Sequence, residues 1–314
     1  MPQATLRIAT RRSELARWQA HHVATQLQRH HPDLDLELVE MTTRGDQLLG
    51  QPLAQVGGKG LFVKELERGI LEGRADIAVH SLKDVPMELP ADFALPVVLA
   101  RADPRDALVV GPGAKGVTAL DQLPPGAAVG TCSLRRQCQI LARHPELRVL
   151  PLRGNVNSRL AKLDAGEFAA VVLAAAGLER LGLGRRIAAV IPDTESLPAI
   201  GQGVIAIECR RDDPRTHALI QPLDHAPTHA VIRAERALNA RLQGSCQVPL
   251  GGYGVLEGDD LWLRGLVGEP DGSHLVTGER RGLREDADGI GKALADDLLR
   301  GGAAAILHRL QNLP

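Results

Sequence analysis

Ala127-Ala128-Val129-Gly130-Thr131-Cys132-Ser133-Leu134-Arg135-Arg136 is the stretch on which the reading of the fold turns. Its first four residues are small or apolar, as a strand buried on both faces requires. Thr131 and Cys132 end that run. Ser133 offers a hydroxyl to the backbone of an opening helix, and helical spacing continues to Arg143. A strand therefore turns directly into a helix over Ser133–Arg143. The same change recurs along the chain: strand Leu6–Thr10 precedes helix Ser13–Gln28, and strand Leu147–Leu152 precedes helix Val156–Leu163. Leu34–Met41, Ala75–His80, Ala107–Val110, Ala169–Leu173 and Val204–Cys209 read as further strands, and Leu61–Leu71 as a helix, with a proline-rich stretch at Val85–Pro96. Alternation of this kind predicts βα units and mainly parallel sheets.

Composition shifts near Arg101–Arg105 and again at Pro198-Ala199-Ile200-Gly201-Gln202-Gly203, which joins rigid to permissive backbone as a domain crossing does. Beyond Cys209 the style changes. A helix from about Thr228 to Gln243 ends at Gly244, a residue suited to the left-handed position after a helix. Tyr253–Leu256, Leu261–Val267 and His274–Glu279 read as short antiparallel strands, and Asp286–Leu299 as an amphipathic helix. This tail predicts a separate α+β domain.

The 37 Lys and Arg against 38 Asp and Glu leave a net charge of −1, so no bulk field draws the chain to nucleic acid or anionic membrane. Aromatic residues at 2% are too few for base-stacking platforms. No apolar run reaches a membrane span, and Met1–Arg12 lacks the apolar stretch of a signal peptide, so the expected location is the cytosol. The cysteines at 132, 138, 209 and 246 form no CxxC pair and no zinc spacing; free thiols and no metal site are expected. No exposed apolar stripe argues against a monomer.

The basic residues carry more information. Thr10-Arg11-Arg12-Ser13, His80-Ser81-Leu82-Lys83-Asp84, Thr131 to Arg136 and Arg153-Gly154-Asn155-Val156-Asn157-Ser158-Arg159 all follow strands, and a helix follows three of them. Ligands of open α/β sheets bind outside the carboxyl ends of strands, where helix N-termini offer N–H groups to anions. Arg135 and Arg136 fall in the first turn of their helix and oppose its dipole, at a cost of a few tenths to about 1 kcal/mol each that a bound anion would offset. Arg11, Arg135, Arg136, Arg153, Arg159 and Arg180 thus read either as one anion site built for carboxylates or as solvated surface charges.

Asp84 is a lone carboxylate among cations, before an extended Val85-Pro86. It fits two roles: a structural partner for Lys83 or an arginine, or a carboxylate that exchanges a proton with a substrate or stabilises a cation on it. Lys59, in Val56-Gly57-Gly58-Lys59-Gly60, matches no phosphate-binding fingerprint; it suits a mobile lid over an anion or an ordinary surface loop. Cys246 follows a helix end in a glycine-flanked loop, which suits an accessible thiol for covalent chemistry or an inert one.

The strings Arg7-Ile8-Ala9-Thr10-Arg11 with Ser13, Gly57-Gly58-Lys59-Gly60-Leu61-Phe62, His80-Ser81-Leu82-Lys83-Asp84-Val85-Pro86, Ser133-Leu134-Arg135-Arg136 after Thr131, Leu152-Arg153-Gly154-Asn155-Val156, Pro198 to Gly203 and Cys246-Gln247-Val248-Pro249 occur in that order. Together they resemble the porphobilinogen deaminase family along essentially the whole chain. The resemblance implies two doubly wound α/β domains like type II periplasmic binding proteins, residues 1–100 with 200–222 and residues 101–199, plus a small C-terminal α+β domain, residues 223–314, with a three-stranded antiparallel sheet. It implies a transferase that joins four porphobilinogen molecules head to tail with loss of ammonia and then releases hydroxymethylbilane by hydrolysis. It implies a dipyrromethane cofactor held by a thioether at Cys246, with Asp84 catalytic. Ser13, Lys83, Thr131, Ser133, Arg135 and Arg136 would contact cofactor or substrate; Arg11, Lys59, Arg153, Asn155, Arg159, Arg180 and Gln202 would bind substrate. Gln55 stands where some relatives have lysine, Cys132 where serine is common, and the linker Gly111–Val117 is slightly long.

Rival readings are a non-catalytic two-lobed protein that binds carboxylates or oxyanions, and a thiol hydrolase or transferase using Cys246. The first has no need of a covalent thiol. The second needs a histidine base, and none lies near Cys246 in sequence.

Overall fold

The computed structural model describes residues 5–47, 60–244 and 248–311. The chain divides into two compact units, Met1–Ala102 with Val204–His229, and Asp103–Gly203 with Ala230–Pro314.

The first unit holds a five-stranded sheet of β1 (Thr5–Arg11), β2 (Asp35–Met41), β3 (Ile77–Ser81), β4 (Phe93–Val98) and β10 (Ile205–Arg210), in the order β2-β1-β3-β10-β4. β1 runs parallel to β2 and β3, whereas β10 runs antiparallel to both its neighbours. Helix α1 (Glu14–His30) covers one face. Its Ala20, Val23 and Leu27 repeat at helical spacing and meet Leu6, Ile8, Ile77, Val79, Ile205 and Ile207. Each large side chain so buried contributes about 1.5–3 kcal/mol. Helix α2 (Lys64–Leu71) covers the other face through Leu66 and Ile70, against Ala9, Ala78 and Phe93. The proline-rich stretch conceals β4. Pro96 lacks a backbone N–H, but β4 is an edge strand, and its register with β10 shifts between Ile207 and Cys209, opposite Leu95 and Pro96.

The second unit repeats this plan with β5 (Asp106–Val110), β6 (Ala128–Gly130), β7 (Arg148–Leu150), β8 (Ala170–Ala174) and β9 (Ala189–Ile191), in the order β7-β6-β8-β5-β9. Here β6 is parallel to β7 and β8, and β5 is the antiparallel strand. Helices α3 (Leu134–Arg143), α4 (Val156–Asp164) and α5 (Ala175–Arg180) follow the three parallel strands. The same unit carries a meander of β11 (Leu250–Glu257), β12 (Asp260–Gly268) and β13 (Leu275–Leu283). Its own core joins Leu261 and Leu263 to Leu238, Ile290, Leu294 and Leu298 from the helices Ala226–Arg241 and Ala287–Leu298. Two doubly wound α/β sheets and a small antiparallel sheet are the expected type II class.

The expected helix starts hold because the caps hold. Ser13, Ser133 and Asn155 are extended, and each side chain accepts from the backbone N–H three residues on, at 3.4, 3.4 and 2.8 Å. Such a cap contributes about 1 kcal/mol. The end of the helix near 243 differs from expectation: Gln243, at φ 52, takes the left-handed position expected of Gly244.

Candidate active site

In each unit the polar segments singled out by sequence lie just past the carboxyl ends of that unit's parallel strands. In the first unit β1 ends at Arg11, and its guanidinium carbon lies 4.2 Å from the centre of the Phe62 ring. Ser13 caps α1. β3 ends at Ser81, whose hydroxyl exchanges hydrogen bonds with Gln19 of α1 at 2.8 and 3.2 Å. A single 3-10 turn, Leu82–Asp84, follows. Leu82 is buried and donates its N–H to Val204, and Val85 donates to Leu82, both at 3.0 Å. The turn is thereby fixed, with Lys83 and Asp84 half-buried on it. Asp84 enters no ion pair or side-chain hydrogen bond among the described residues. A structural partnership with Lys83 or an arginine is thus not what holds it.

The second unit gathers three of the expected residues around a carboxylate. Arg135, Arg136 and Gln202 are 4%, 6% and 1% exposed, and all converge on Asp106, which is fully buried. Arg135 Nη1 lies 2.9 Å from Asp106 Oδ2 and Arg136 Nη2 lies 2.7 Å from Oδ1. Gln202 Nε2 donates to Oδ1 at 2.9 Å, and the Ser196 hydroxyl donates to Oδ2 at 3.0 Å. Burial alone pushes the Asp106 carboxyl up, but the two guanidinium groups outweigh it and hold the group well below the usual carboxylate range. Burial pulls Arg135 below the usual guanidinium range, against the pull of Asp106. The anion that offsets two cations in the first turn of α3 is therefore one of the protein's own side chains. Arg136 also donates to Val172 O at 3.0 Å and Arg135 to Leu197 O at 2.7 Å, but Arg135 Nε is buried with no partner among the described residues.

The remaining groups stand nearby in the chain. Thr131 Oγ1 accepts from the N–H of Ser133 at 3.2 Å, which closes the turn into α3. Arg153 is half-buried before Gly154, whose φ of 114 admits no ordinary side chain. Asn155 caps α4, and Arg159 Nε donates to Gly154 O at 2.8 Å. Arg180 Nη2 donates to Gly203 O at 2.7 Å, and burial pushes its pKa down to about 10. Lys59 and Cys246 lie outside the described residues. Of the other thiols, Cys138 and Cys209 are buried, and burial pushes both up to about 12, which suits packing and not nucleophilic chemistry.

Sequence reading did not find Asp106 or Ser196. Asp106 opens the apolar run Ala107–Val110, and a carboxylate at the start of a buried strand was the available signal.

The sequence profile described as porphobilinogen deaminase, dipyrromethane cofactor binding domain, matches residues 6–218, and that of the porphobilinogen deaminase C-terminal domain matches residues 230–300. The chain belongs to the porphobilinogen deaminase family. Porphobilinogen deaminases are transferases of tetrapyrrole biosynthesis, and the first match assigns dipyrromethane as the cofactor. The donors present fit that group. A pyrrole carrying acetate and propionate needs cations and hydroxyls, and the strand ends of each unit, taken by itself, carry them: Arg11 and Lys83 in the first, Thr131, Ser133 and Arg153 in the second.

Similar solved structures include a periplasmic domain of BvgS from Bordetella pertussis (16% identity, 70% of this chain and 94% of that chain, TM-score 0.41). Others are the aliphatic sulphonate binding protein SsuA from Escherichia coli (14%, 79% and 73%, 0.39) and a substrate binding domain of a putative amino acid ABC transporter from Streptococcus pneumoniae (14%, 69% and 90%, 0.44). Among the described residues no helix is long and apolar enough to cross a membrane.

Proposed function

We propose that this member of the family joins four porphobilinogen molecules head to tail, loses ammonia at each addition and releases hydroxymethylbilane by hydrolysis. The observation that carries the reading is Asp84: a half-buried carboxylate with no partner among the described residues, held on a fixed turn at the end of a central strand. The dipyrromethane, when bound, supplies the end to which the first substrate is joined.

Asp84 delivers a proton to the departing amine of porphobilinogen, and its carboxylate then faces the positive charge left on the pyrrole. Both roles need an unpaired acid, because an ion pair would hold the proton-accepting oxygens elsewhere. Each substrate carries an acetate and a propionate, so carboxylates accumulate as the chain grows. Arg11, Lys59, Arg153, Asn155, Arg159 and Arg180 hold those carboxylates. Gln202 acts with Asp106 to keep Arg135 and Arg136 in place at the start of α3, where the two guanidinium groups present positive charge to the cofactor. Ser13, Lys83, Thr131 and Ser133 complete the cofactor contacts. Cys246 holds the cofactor as a thioether. The division into residues 1–100 with 200–222, 101–199 and 223–314, the cytosolic location and the monomeric state belong to the same proposal.

Intact-mass measurement of the denatured active protein tests it. A two-pyrrole adduct that maps to Cys246 is the expected result. A mass equal to the bare polypeptide, from protein that turns over porphobilinogen, overturns the covalent assignment.

A further inference from the structure

Behind the Asp84 turn lies a cluster of ionisable groups for which the chemistry above has no use. Glu208 on β10 pairs in register with Ala78 of β3, and His80 with Ala206. Side chains two apart share a face of a strand, so His80 and Glu208 lie on the same face, with Ala78. That is the face covered by α2, because Ala78 packs with its Leu66 and Ile70. Glu67 of α2 enters there. His80, Glu208 and Glu67 are 5%, 0% and 8% exposed.

His80 Nε2 lies 2.8 Å from Glu208 Oε2. Glu208 Oε1 is buried and meets no N–H or hydroxyl donor among the described residues, and Glu67, buried on the same face, is near enough to Glu208 for the two carboxyls to act on each other. Two carboxylates cannot bond to each other unless one carries a proton. A protonated Glu67 that donates to Glu208 satisfies the orphaned oxygen and leaves one negative charge facing the imidazole.

We propose that Glu67, Glu208 and His80 are positioning residues for Asp84: one proton shared by the two carboxylates locks α2, β10 and the end of β3 together, and its loss to solvent sets the alkaline limit of turnover. The inference rests on the activity proposed above. The geometry supplies the mechanism. Ser81 follows His80 directly, and the turn bearing Lys83 and Asp84 begins at Leu82, which is itself bonded to Val204 at the head of β10. Two adjacent ionised carboxylates in the interior repel, and relief comes from parting α2 or β10 from β3, which releases the turn.

The charged groups that act on Glu67 are Glu208 from β10, His80 from β3 and Lys64 from α2 itself; β1 and β4 present Ala9 and Phe93 to this face. Burial first, then the charge of Glu208, push the Glu67 carboxyl up to about 7, while His80 and Lys64 pull the other way. The shared proton is thus held well above the pH at which an ordinary glutamate releases it.

The test is the pH dependence of kcat and KM for porphobilinogen, measured on cofactor-loaded wild type, Glu67→Gln and Glu67→Leu. Glu67→Gln keeps a donor for Glu208 without a proton to lose, so its alkaline limb should move up by about one pH unit or more. Glu67→Leu removes the bridge, and kcat should fall about tenfold with KM little changed, a loss that Glu67→Gln largely restores. A Glu67→Gln profile that superimposes on that of active wild type overturns the inference alone. Wild type inactive on porphobilinogen overturns the activity and the inference with it. Infrared spectra of glutamate-labelled wild type need no variant to fold: a protonated carboxyl band should persist between pH 4.5 and about 7, and its absence there overturns the shared proton.

Discussion

Asp106→Asn should destabilise the protein severely while leaving its surface unchanged. The wild-type Oδ1 accepts from Arg135 Nη2 at 3.2 Å, Arg136 Nε at 3.0 Å, Arg136 Nη2 at 2.7 Å and Gln202 Nε2 at 2.9 Å. An amide oxygen can occupy that place. The amide nitrogen then replaces Oδ2, where it meets Arg135 Nη1 and the Ser196 hydroxyl, wild-type neighbours at 2.9 and 3.0 Å. Ser196 can turn and accept; Arg135 has only donors. The larger loss is electrostatic, since two buried guanidinium groups keep no counter-ion. Removing one partner of a buried ion pair costs about 3–5 kcal/mol, a fifth or more of a total stability of about 5–15 kcal/mol. At about 2–4 °C per kcal/mol the Tm falls by about 10 °C. Urea unfolding of the full chain, followed by circular dichroism, measures the difference. A loss below about 1 kcal/mol would refute the view that this carboxylate is the counter-ion of both arginines. Acid provides a second check with a definite sign. The folded pKa of Asp106 is depressed below 3.8, so its contribution is fully present above the unfolded value and is lost only as pH falls towards the depressed folded one. In Asp106→Asn that part of the acid dependence should vanish.

Further expectations follow from other sites. Asp84→Asn should lower kcat by about 10²–10⁴ with an unchanged circular dichroism spectrum; near-normal turnover removes Asp84 from the chemistry. Arg153→His should raise KM for porphobilinogen and slow the later additions most, seen as partial chains in intact-mass spectra; unchanged kinetics count against a carboxylate contact there. Gly154→Ala places a Cβ 2.0 Å from Ser158 Oγ at a φ of 114, so it should cost about 1–3 kcal/mol and loosen the Asn155 cap; a wild-type urea midpoint would contradict this. Glu67 has a folded pKa raised from 4.5 to about 7, so its contribution is full below pH 4.5 and is lost as pH rises through about 7. At about 1.4 kcal/mol per unit, up to about 3 kcal/mol should disappear over that window in wild type and not in Glu67→Gln.

What the sequence made legible was local. Ser13 and Ser133 cap the helices that the sequence opens at them, because a cap reaches only three residues ahead. The apolar runs of β3, β5 and β8 stand out because strands buried on both faces need no alternation. What escaped was set by distant partners. Pro96 argues against a strand until its place at a sheet edge, beside a register shift, is known. The purpose of Asp106 depends on Arg135 and Arg136, 29 and 30 residues away, and on Ser196, 90 away. The local cost of cations in the first turn of α3 was readable; the anion that offsets it was not. Asp84 stood out for a related reason, since a lone acid in a basic segment is visible without a fold, whereas the lack of a partner for it is not.

The antiparallel strand β10 has a consequence for how the chain is made. It sits between β3 and β4, yet it is about a hundred residues further along the chain than β4, and every strand of the second sheet is synthesised in between. Emerging from the ribosome, the polypeptide can therefore complete the sheet of residues 106–191 while the sheet begun at residue 5 still has an empty lane. Until residues 205–210 arrive, β3 and β4 present bare edges to the cell, and His80 waits for Glu208. Nascent chains stalled near residue 200 should thus be the ones that chaperones hold, and a frameshift just beyond that point should cost the first unit its fold although most of its own sequence is intact.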